Sequence, residues 1–562
     1  MPLQQDAGRP WLKADVGDRY GVSPPEPKPL YSLLIDSAKA HPSNRCIHYQ
    51  GRDFTYSQVD EISSRFASAL VSLGLKKGDR VAIFLPNVPQ LVFAYFGTMK
   101  AGGVAVMCNP TYKERELEYQ VRDSGAEIIV ASMTVAKGMD LYKSLEGCRN
   151  RLPLRHVIST HLGDYLPGVK KRLAGLAGIK DVPRAGTLDF SKLVESALPM
   201  KDYPAVDPVN DVAVLQYTGG TTGVSKGAML THHNLLSNAH YAMKLFPVTE
   251  RDVSLCVLPL FHIYGLTVTM NAPLAAGAAM VLLPSFHVDE VMKTIQGQRV
   301  TIFSGAPAMY IAINSRPDVS KFDLTSVRAC LSGGSALPPA VRRKFIELTG
   351  GNLVEGYGLS ETSPITHCNP VSGGVVKDGS IGPPFSETDA KIVDVGDRGK
   401  TLPIGEVGEL AVKGPQVMKG YWNQKAETDA VLKDGWFLTG DIAKMDQDGY
   451  FYIVDRKKDM VNVGGLKVYP REVEDVLFEH PNIKEAGVIG IPDGFSGEAV
   501  KAFVVLKDPA KKTSEQDVIA FCQQKLAKFK VPKEVEFVSE LPKTLIGKVL
   551  RRKLRELKPQ GP

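Results

Sequence analysis

The stretch Leu215-Gln-Tyr-Thr-Gly-Gly-Thr-Thr-Gly-Val-Ser-Lys226 joins an apolar strand pattern to a loop of small and hydroxyl-bearing residues. We predict a strand over 212–217 and, directly after it, a loop that binds phosphate groups. Glycines let backbone N–H groups approach phosphate oxygens closely, threonine hydroxyls add donors, and a lysine supplies positive charge. The loop lacks the G-x-x-x-x-G-K-[ST] spacing of a Walker A motif, which argues against an ordinary P-loop ATPase or kinase. The candidate phosphate-binding residues are Thr218, Gly219, Gly220, Thr221, Thr222, Gly223 and Lys226.

Helix and strand patterns alternate on both sides of this stretch. A helical spacing over 59–70 precedes buried strand patterns at 80–85, 104–107 and 127–131, and the alternation resumes at residue 212. Strands that alternate with helices favour a parallel sheet covered on both faces. Around 391–413 the strands shorten and turns multiply, which indicates a small β subdomain.

The cluster Asp455-Arg456-Lys457-Lys458-Asp459 marks a domain boundary, because about a hundred residues with their own α+β pattern follow it. The predicted fold is α/β. A tail over 1–30 precedes a large N-terminal domain over 31–454, with parallel-rich sheets, covering helices and the β subdomain. A smaller, mobile α+β C-terminal domain occupies 455–562. A length of 562 residues suits several domains at about 100–200 residues each.

Composition is that of a soluble globular protein, with 43% hydrophobic and 23% charged residues. The N-terminus shows no signal-peptide pattern. The longest apolar run, 266–283, is interrupted by Asn271, Pro273 and Gly277, so we predict a buried helix and strand rather than a membrane span. Seven dispersed cysteines argue for a reducing, cytoplasmic compartment and against a zinc site.

Positive charge is concentrated near the C-terminus. From Lys501 onward there are 15 Lys and Arg against 7 Asp and Glu, in a chain whose net charge is +7. Basic residues also flank an apolar pattern over 166–176. Such surfaces suit phosphate-rich ligands or peripheral contact with an anionic membrane, and a solvated helix face explains them equally well. We expect no nucleic-acid partner, and the sequence leaves a homodimer open.

Further motifs follow the phosphate loop in a fixed order, and the set resembles the adenylate-forming superfamily of acyl-CoA synthetases, luciferases and adenylation domains. The resemblance runs from about Tyr31 to Leu554. Within the superfamily, the sequence most resembles bacterial long- and medium-chain fatty acyl-CoA synthetases. The matching stretches, besides 215–226, are Leu331-Ser-Gly-Gly-Ser-Ala-Leu-Pro338, Glu355-Gly-Tyr-Gly-Leu-Ser-Glu-Thr362, Gly435-Trp-Phe-Leu-Thr-Gly-Asp441, Val454-Asp-Arg-Lys-Lys-Asp459 and Pro542-Lys-Thr-Leu-Ile-Gly-Lys-Val-Leu-Arg551. Three more, at 109–118, 413–422 and 461–470, resemble the fatty acyl branch.

The resemblance implies a two-step reaction with ATP and coenzyme A as cosubstrates and Mg²⁺ as the metal. The carboxylate of an acid first attacks the α-phosphorus of ATP, and pyrophosphate leaves. The acyl group then passes from the acyl-adenylate to the thiol of coenzyme A. Because two anions must meet in the first step, the site needs cations and oriented donors more than a proton acceptor.

Roles in the nucleotide site are implied residue by residue. Thr218 and Glu361 hold Mg²⁺, and Ser360 contacts the α-phosphate. Tyr357 stacks on adenine, and Asp441 accepts hydrogen bonds from the ribose hydroxyls. Taken singly, these residues could be a core aromatic, a turn cap or a surface acid, and it is their joint order that favours the nucleotide site. The other implied nucleotide contacts are Gly333, Gly334, Ser335, Glu355, Gly356, Gly358 and Arg456.

The C-terminal domain is implied to supply mobile parts. Lys548 bridges the attacking carboxylate and the α-phosphate, although a solvated lysine would suit this Lys-rich tail. Lys458 is the hinge about which the domain rotates between the two steps. After rotation, Gly464 and Gly465 line the path of the pantetheine arm, with a plain turn as the alternative.

The acyl site is defined less sharply. His262 resembles a residue that closes the carboxylate site, and a core histidine is the competing interpretation. No Asp near 259–265 could pair with an α-amino group, and small residues in the apolar run leave room for a long tail, so we expect a medium- to long-chain fatty acid. The alternatives are an aryl or other acid CoA ligase, an acyl-AMP ligase that serves a carrier protein, and a catalytically inactive nucleotide-binding protein of the same fold.

Overall fold

A computed structural model of the chain describes residues 9–12, 24–136, 139–168, 180–181, 186–218, 225–464, 466–493, 496–543 and 549–556. The described helices are α1 Ser32–Ala40, α2 Tyr56–Ser72, α3 Pro89–Lys100, α4 Glu114–Ser124, α5 Leu141–Cys148, α6 Phe190–Ser196, α7 His232–Leu245, α8 Ile263–Gly265, α9 Ala272–Ala275, α10 Val288–Gln298, α11 Pro307–Asn314, α12 Pro339–Thr349, α13 Lys425–Val431, α14 Pro470–Phe478, α15 Glu515–Gln523 and α16 Arg551–Glu556.

The described strands fall into several sheets. They are β1 Arg45–Tyr49, β2 Arg52–Thr55, β3 Arg80–Phe84, β4 Val104–Met107, β5 Ile128–Ser132, β6 Thr134–Ala136, β7 Met139–Asp140, β8 His156–Thr160, β9 Lys180–Asp181, β10 Leu188–Asp189, β11 Val212–Thr218, β12 Lys226–Thr231, β13 Val253–Cys256, β14 Ala279–Leu282, β15 Ala329–Ser332, β16 Asn352–Gly358, β17 Ile365–Cys368, β18 Asp389–Val393, β19 Gly408–Lys413, β20 Gly420–Tyr421, β21 Leu432–Lys433, β22 Trp436–Met445, β23 Phe451–Arg456, β24 Val461–Val463, β25 Leu466–Val468, β26 Ile483–Asp493, β27 Gly497–Leu506 and β28 Glu534–Phe537.

The phosphate-loop strand lies inside an eight-stranded sheet of order β10-β8-β5-β3-β4-β11-β12-β20. The first six strands run parallel, and β12 returns antiparallel to β11. Every residue of α3 is buried, as expected for a helix that is mostly apolar, and the buried polar exceptions are Gln90, Thr98 and Lys100. The predicted parallel sheet with helical cover is therefore confirmed, and the predicted strand over 212–217 is β11.

A second, four-stranded sheet contains the predicted apolar run. Strands β13, β14 and β1 are parallel in it, and β2 pairs antiparallel with β1. The run itself forms a π-helical turn over Leu266–Asn271, the short helix α9 and strand β14, and within it only Ala275 and Ala276 are not fully buried. Within the described residues, no helix combines the length and apolarity needed to span a bilayer. The amphipathic pattern over 166–176 lies largely outside the described residues.

The chain then leaves the parallel sheets. Strands β18, β19, β22 and β21 form the antiparallel subdomain that the short strands predicted, and β23 pairs with β22. Strand β23 ends at Arg456, and Val461 begins a separate sheet of order β25-β24-β27-β26, with β28 beside β27. Helices α14 and α15 pack on this last sheet and share its own hydrophobic core.

Candidate active site

The ends of the predicted phosphate loop lie side by side. Thr218 closes β11 and pairs across the antiparallel ladder with Lys226, which opens β12. The hydroxyl of Ser225 donates to the carbonyl oxygen of Thr218. The hairpin thus brings the predicted lysine and threonine together at the mouth of the loop. The loop residues Gly219, Gly220, Thr221, Thr222 and Gly223 lie outside the described residues, as do Gly465 and Lys548.

A short helical turn over Ser360–Thr362 packs against β11 and β12 and carries Glu361 to this mouth. The hydroxyl of Tyr421 donates to Glu361 Oε1 at 2.8 Å. The ammonium group of Lys226 lies 5.1 Å from the centre of the Tyr421 ring and pairs with Glu427. Neither Tyr421 nor Glu427 was singled out from the sequence, although Tyr421 lies in the stretch 413–422 that marks the fatty acyl branch.

Burial raises the pKa of Glu361, while the Tyr421 hydroxyl and the nearby Arg456 guanidinium lower it. A partly buried carboxylate of this kind is stabilised by an added cation. Together with the Thr218 hydroxyl it offers two oxygen ligands, which fits Mg²⁺, since that ion keeps several waters and is bound jointly with substrate phosphates. Among the described residues, there is no group of three or more His, Cys, Asp or Glu side chains that could hold a metal ion without additional ligands from water or substrate phosphates.

Asp441 is held in a fixed orientation by two neighbours. The hydroxyl of Tyr357 donates to its Oδ2 at 2.6 Å, and Nε of Arg456 lies 3.0 Å from its Oδ1. Asp441 and Arg456 are directly opposite each other on β22 and β23. The side chain of Asp441 is 4% exposed and that of Arg456 is 33% exposed, so the guanidinium stands between the carboxylate and solvent. The structure therefore brings together three residues that were predicted to contact the nucleotide.

The predicted adenine loop follows β15 and leaves Gly334 and Ser335 exposed. A Cβ at Gly333 would lie 3.1 Å from the Tyr264 ring, so glycine permits this close approach. The Tyr264 hydroxyl donates to the carbonyl of Leu331 at 2.7 Å and supports the loop from below. The loop is thus held at its base and open at its tip.

Glu355 joins this loop to the next motif. Its Oε2 accepts a hydrogen bond from the backbone N–H of Leu337 at 3.2 Å. Burial raises the pKa of Glu355 to about 7, against the opposing effect of Arg471 in the C-terminal domain. Further along β16, a Cβ at Gly358 would lie 2.1 Å from the carbonyl oxygen of Pro364, and a Cβ at Gly356 would crowd Leu331. The motif therefore packs tightly against Leu331 and against Pro364, which follows the turn that carries Ser360 and Glu361.

His262 lies beside the end of β11 and is partly buried. Its Nδ1 accepts the backbone N–H of Tyr264 at 3.2 Å and caps α8. Gln216 of β11 donates from Nε2 to the carbonyl of Phe261 at 3.0 Å, which ties the histidine-bearing segment to the phosphate-loop strand. The position of His262 is compatible with the predicted role at the edge of the carboxylate site. It is equally compatible with a structural role as the cap of α8.

The predicted hinge and pantetheine residues lie beyond β23. Lys458 is exposed, and partial desolvation and the nearby Arg456 lower its pKa. Gly464 donates its N–H to the carbonyl of Ser496 at 2.8 Å, and a Cβ placed on it would meet nothing within 4 Å. Open space at Gly464 is compatible with a passage as well as with an exposed turn, and both roles stay predictions.

Comparison with known proteins agrees with these motifs. Residues 34–422 match the AMP-binding enzyme family, and residues 472–548 match the AMP-binding enzyme C-terminal domain. The chain is 44% identical over 560 residues to a long-chain-fatty-acid--CoA ligase of Bacillus subtilis, covering 98% of both chains. It is 39% identical to a protein of the same name from Escherichia coli O6:H1, covering 97% of this chain and 98% of that one.

Solved structures show the same fold. ATP-bound MatB from Rhodopseudomonas palustris is similar with a TM-score of 0.80 and 31% identity, over 94% of this chain and 98% of that one. The apo form of MatB gives a TM-score of 0.72 at 32% identity over the same shares of the two chains. The two domain matches, the near full-length relatives and the shared architecture lead to one conclusion: the chain belongs to the AMP-binding family of adenylate-forming enzymes.

Proposed function

We propose that this chain is an AMP-forming fatty acyl-CoA synthetase, which activates a medium- to long-chain fatty acid with ATP and transfers the acyl group to coenzyme A. The observation that carries the proposal is the 44% identity to a long-chain-fatty-acid--CoA ligase over nearly the whole chain. The convergence of Thr218, Glu361, Asp441 and Arg456 on one site supports it. We also propose the boundaries 31–454 and 455–562 for the two domains, since β23 ends at Arg456 and a separate sheet begins at Val461.

In the first step, the residues of the large domain bind and orient ATP. Tyr357 and the loop after β15 hold adenine, and the carboxylate of Asp441, fixed by Arg456, receives the ribose hydroxyls. Thr218 and Glu361 would hold Mg²⁺, which would supply positive charge against the phosphates. Lys226 and Ser360 add a cation and a hydroxyl to the phosphate groups, and Lys548 neutralises charge as the fatty acid attacks the α-phosphorus.

In the second step, the small domain rotates about Lys458. Rotation withdraws Lys548 from the acyl carbon and brings Gly464 and Gly465 to the pantetheine arm of coenzyme A. The coenzyme A thiolate then attacks the acyl carbon, the carbon–sulfur bond forms, and AMP leaves with the electron pair of the broken bond.

The acid is recognised by an apolar site next to His262. The segment Leu266–Ala275 contains no charged residue, is buried except for Ala275, and includes the π-helical turn, a feature that is frequent at functional sites. An apolar wall of this kind favours an aliphatic tail. We therefore expect chain length, rather than polar substituents, to decide which acids react.

We also propose that the enzyme works in the cytoplasm, because its seven cysteines are all buried and form no disulfide, as expected in a reducing compartment. The basic C-terminal region would favour peripheral contact with an anionic membrane. Sedimentation with vesicles of anionic and of neutral lipid tests that contact: binding to both or to neither argues against it.

The test of the proposed function is a panel of short, medium, long and aromatic acids in two assays, ATP–pyrophosphate exchange and thioester formation with coenzyme A. We expect both activities, with the highest kcat/KM for medium- or long-chain fatty acids. A preference for an aromatic acid would show that the substrate is an aryl acid rather than a fatty acid. Exchange without thioester formation would indicate that the acyl acceptor is a carrier protein rather than coenzyme A. Absence of exchange with every acid would show a catalytically inactive nucleotide-binding protein.

A further inference from the structure

Asp455 lies near the end of β23, opposite Ile442, three residues before the proposed hinge at Lys458. Its side chain is only 2% exposed. Oδ1 accepts the neighbouring N–H of Arg456 at 2.6 Å and lies 3.0 Å from Nη1 of Arg551. Oδ2 accepts the backbone N–H of Arg471 at 2.7 Å. A carboxylate on the N-terminal side of the proposed hinge, on a strand that pairs with β22, is thus bonded to two separate elements on the C-terminal side, the start of α14 and the start of α16.

These bonds cross the hinge, whereas the other bonds of Arg551 do not. Nη2 of Arg551 lies 2.8 Å from Glu474 Oε2, and Nη1 lies 3.3 Å from Asp459 Oδ2. Both of those acids follow Lys458 in the chain, so they move with Arg551 when the small domain rotates. The contacts of Asp455 with Arg471 and Arg551 have one partner on each side of the hinge, and a large rotation separates them.

The chemistry of the cluster lets these contacts break without leaving a buried cation alone. A folded protein is strongly destabilised when a buried arginine loses the only carboxylate that pairs with it. After a rotation Arg551 keeps its ion pairs with Glu474 and Asp459 and loses only the one with Asp455. Charge-assisted bonds to a buried carboxylate still favour the arrangement in which they form. Asp455 therefore differs from its neighbours in stabilising one domain arrangement only.

The fold as a whole superposes better on a nucleotide-bound relative than on the free form of the same relative. The chain superposes on ATP-bound MatB with a TM-score of 0.80 and on apo MatB with 0.72, although the identities and coverage are nearly the same. The contacts of Asp455 are thus seen in a structure whose overall similarity is greater to the ATP-bound relative.

We infer that Asp455 is a positioning residue whose carboxylate latches the small domain in the adenylate-forming arrangement and must release Arg471 and Arg551 before thioester formation. The inference rests on the proposed function, because it needs two half-reactions carried out in two domain arrangements. Asp455 contacts no reacting group in this account. It acts through the position of the domain that carries Lys548.

The first test compares the two half-reactions in Asp455→Asn, which keeps the side-chain volume and removes the charge. We expect ATP–pyrophosphate exchange with a fatty acid to fall about tenfold, which is the effect of a loss of about 1.4 kcal/mol in domain bias. Thioester formation from supplied acyl-adenylate and coenzyme A should be unchanged or faster. Asp455→Glu, which retains the charge, should restore part of the exchange activity.

The matched control is Glu474→Gln. This substitution weakens the ion pairing of Arg551, as Asp455→Asn does. The partner that it removes, however, lies on the same side of the hinge as Arg551. We expect the ratio of the two half-reactions to stay within twofold of the wild type, even if thermal stability falls. An equal loss of both half-reactions in Asp455→Asn, or the same change of ratio in Glu474→Gln, overturns the inference.

A direct measurement of domain arrangement does not depend on activity. Fluorophores on Lys344→Cys in α12 and Gln524→Cys beyond α15 report the distance between the domains, and the seven native cysteines are buried from the label. Asp455→Asn should move the distance distribution away from that of the wild type, and an unchanged distribution refutes the latch. A wild type that exchanges no acid overturns the proposed function and the inference with it, whereas an active wild type with an unaltered half-reaction ratio in Asp455→Asn overturns the latch alone.

Discussion

Tyr421 illustrates how one hydroxyl can set the orientation of a functional carboxylate. Its O–H donates to Glu361 at 2.8 Å, while its ring faces the ammonium group of Lys226. One side chain therefore contacts both an acid and a base near the ends of the phosphate loop. Hydrogen bonds to charged groups are worth about 1.5–3 kcal/mol, so this contact is large enough to affect the first half-reaction.

Tyr421→Phe removes the hydroxyl and keeps the ring. We expect ATP–pyrophosphate exchange to fall roughly tenfold to a hundredfold, and the Mg²⁺ concentration for half-maximal rate to rise, because Glu361 loses its orienting donor. The control is Tyr452→Phe, whose hydroxyl donates to Asp446 away from the site at 3.1 Å. An unchanged Mg²⁺ dependence in Tyr421→Phe would remove Tyr421 from the proposed role.

Glu355 gives a pH-dependent prediction at the same scale. Burial raises its pKa from the ordinary 4.5 to about 7 in the folded protein, so the folded state holds the proton at pH values where the unfolded state has lost it. The wild type therefore loses stability as pH rises from about 4.5 to about 7, and the loss is complete above that range.

Glu355→Gln removes this titration and can still accept from the Leu337 N–H. The stability of the variant relative to the wild type should accordingly increase between pH 5 and pH 8, by an amount on the order of 3 kcal/mol at about 1.4 kcal/mol per pKa unit. Thermal unfolding across that pH range measures the difference. The exposed Glu347 in α12 provides the control substitution Glu347→Gln, and parallel curves for the two variants would contradict the assignment.

At the scale of elements, the end of β16 packs tightly against Pro364, which follows the turn over Ser360–Thr362 that carries Glu361. A Cβ at Gly358 would lie 2.1 Å from the carbonyl oxygen of Pro364, which belongs to the backbone and cannot rotate away. Strand and turn must separate to admit even one methyl group. The location of the carboxylate therefore depends on the absence of a side chain three residues earlier.

Gly358→Ala should destabilise the protein by about 2–4 kcal/mol and lower adenylation, since overpacking forces a backbone shift. Differential scanning calorimetry and the exchange assay test the two effects. Gly297→Ala is the matched control: this glycine is exposed in helix α10 with nothing within 4 Å of an added Cβ, and alanine there should be neutral or stabilising by up to about 1 kcal/mol. Equal stability of the two variants would contradict the packing argument.

Local patterns in the sequence predict elements well where one pattern decides the environment. The apolar strand over 212–217 was predictable, because burial on every side leaves a continuous hydrophobic signature. The place of Tyr421 was not predictable. It arises from the pairing of β12 with β20, in which Ala228 lies opposite Tyr421, about two hundred residues later in the chain. Contacts of that range leave no periodic signal, and the same holds for the bonds of Asp455 with Arg471 and Arg551.

At the scale of the whole molecule, the nucleotide residues and the moving residues belong to different domains. Thr218 and Asp441 lie on strands of the large domain and Glu361 lies on the turn after β16, whereas Lys548 and Gly464 follow the proposed hinge. One acyl group can then meet two different sets of residues without leaving its binding place. Such alternation requires a short segment that absorbs a large change of backbone angles.

Lys458→Pro tests this requirement, because proline fixes φ near −65° and so limits the change that the segment can absorb. The flanking backbone bonds are donated by Lys457 to Gly440 and by Asp459 to Arg456, so the substitution leaves both in place. We expect adenylation near the wild-type rate and thioester formation reduced at least a hundredfold. Lys548→Ala should show the opposite pattern, with adenylation lost and thioester formation from supplied acyl-adenylate largely kept. Lys458→Ala, which keeps backbone freedom, should retain both half-reactions; full turnover in Lys458→Pro would place the hinge elsewhere in the chain.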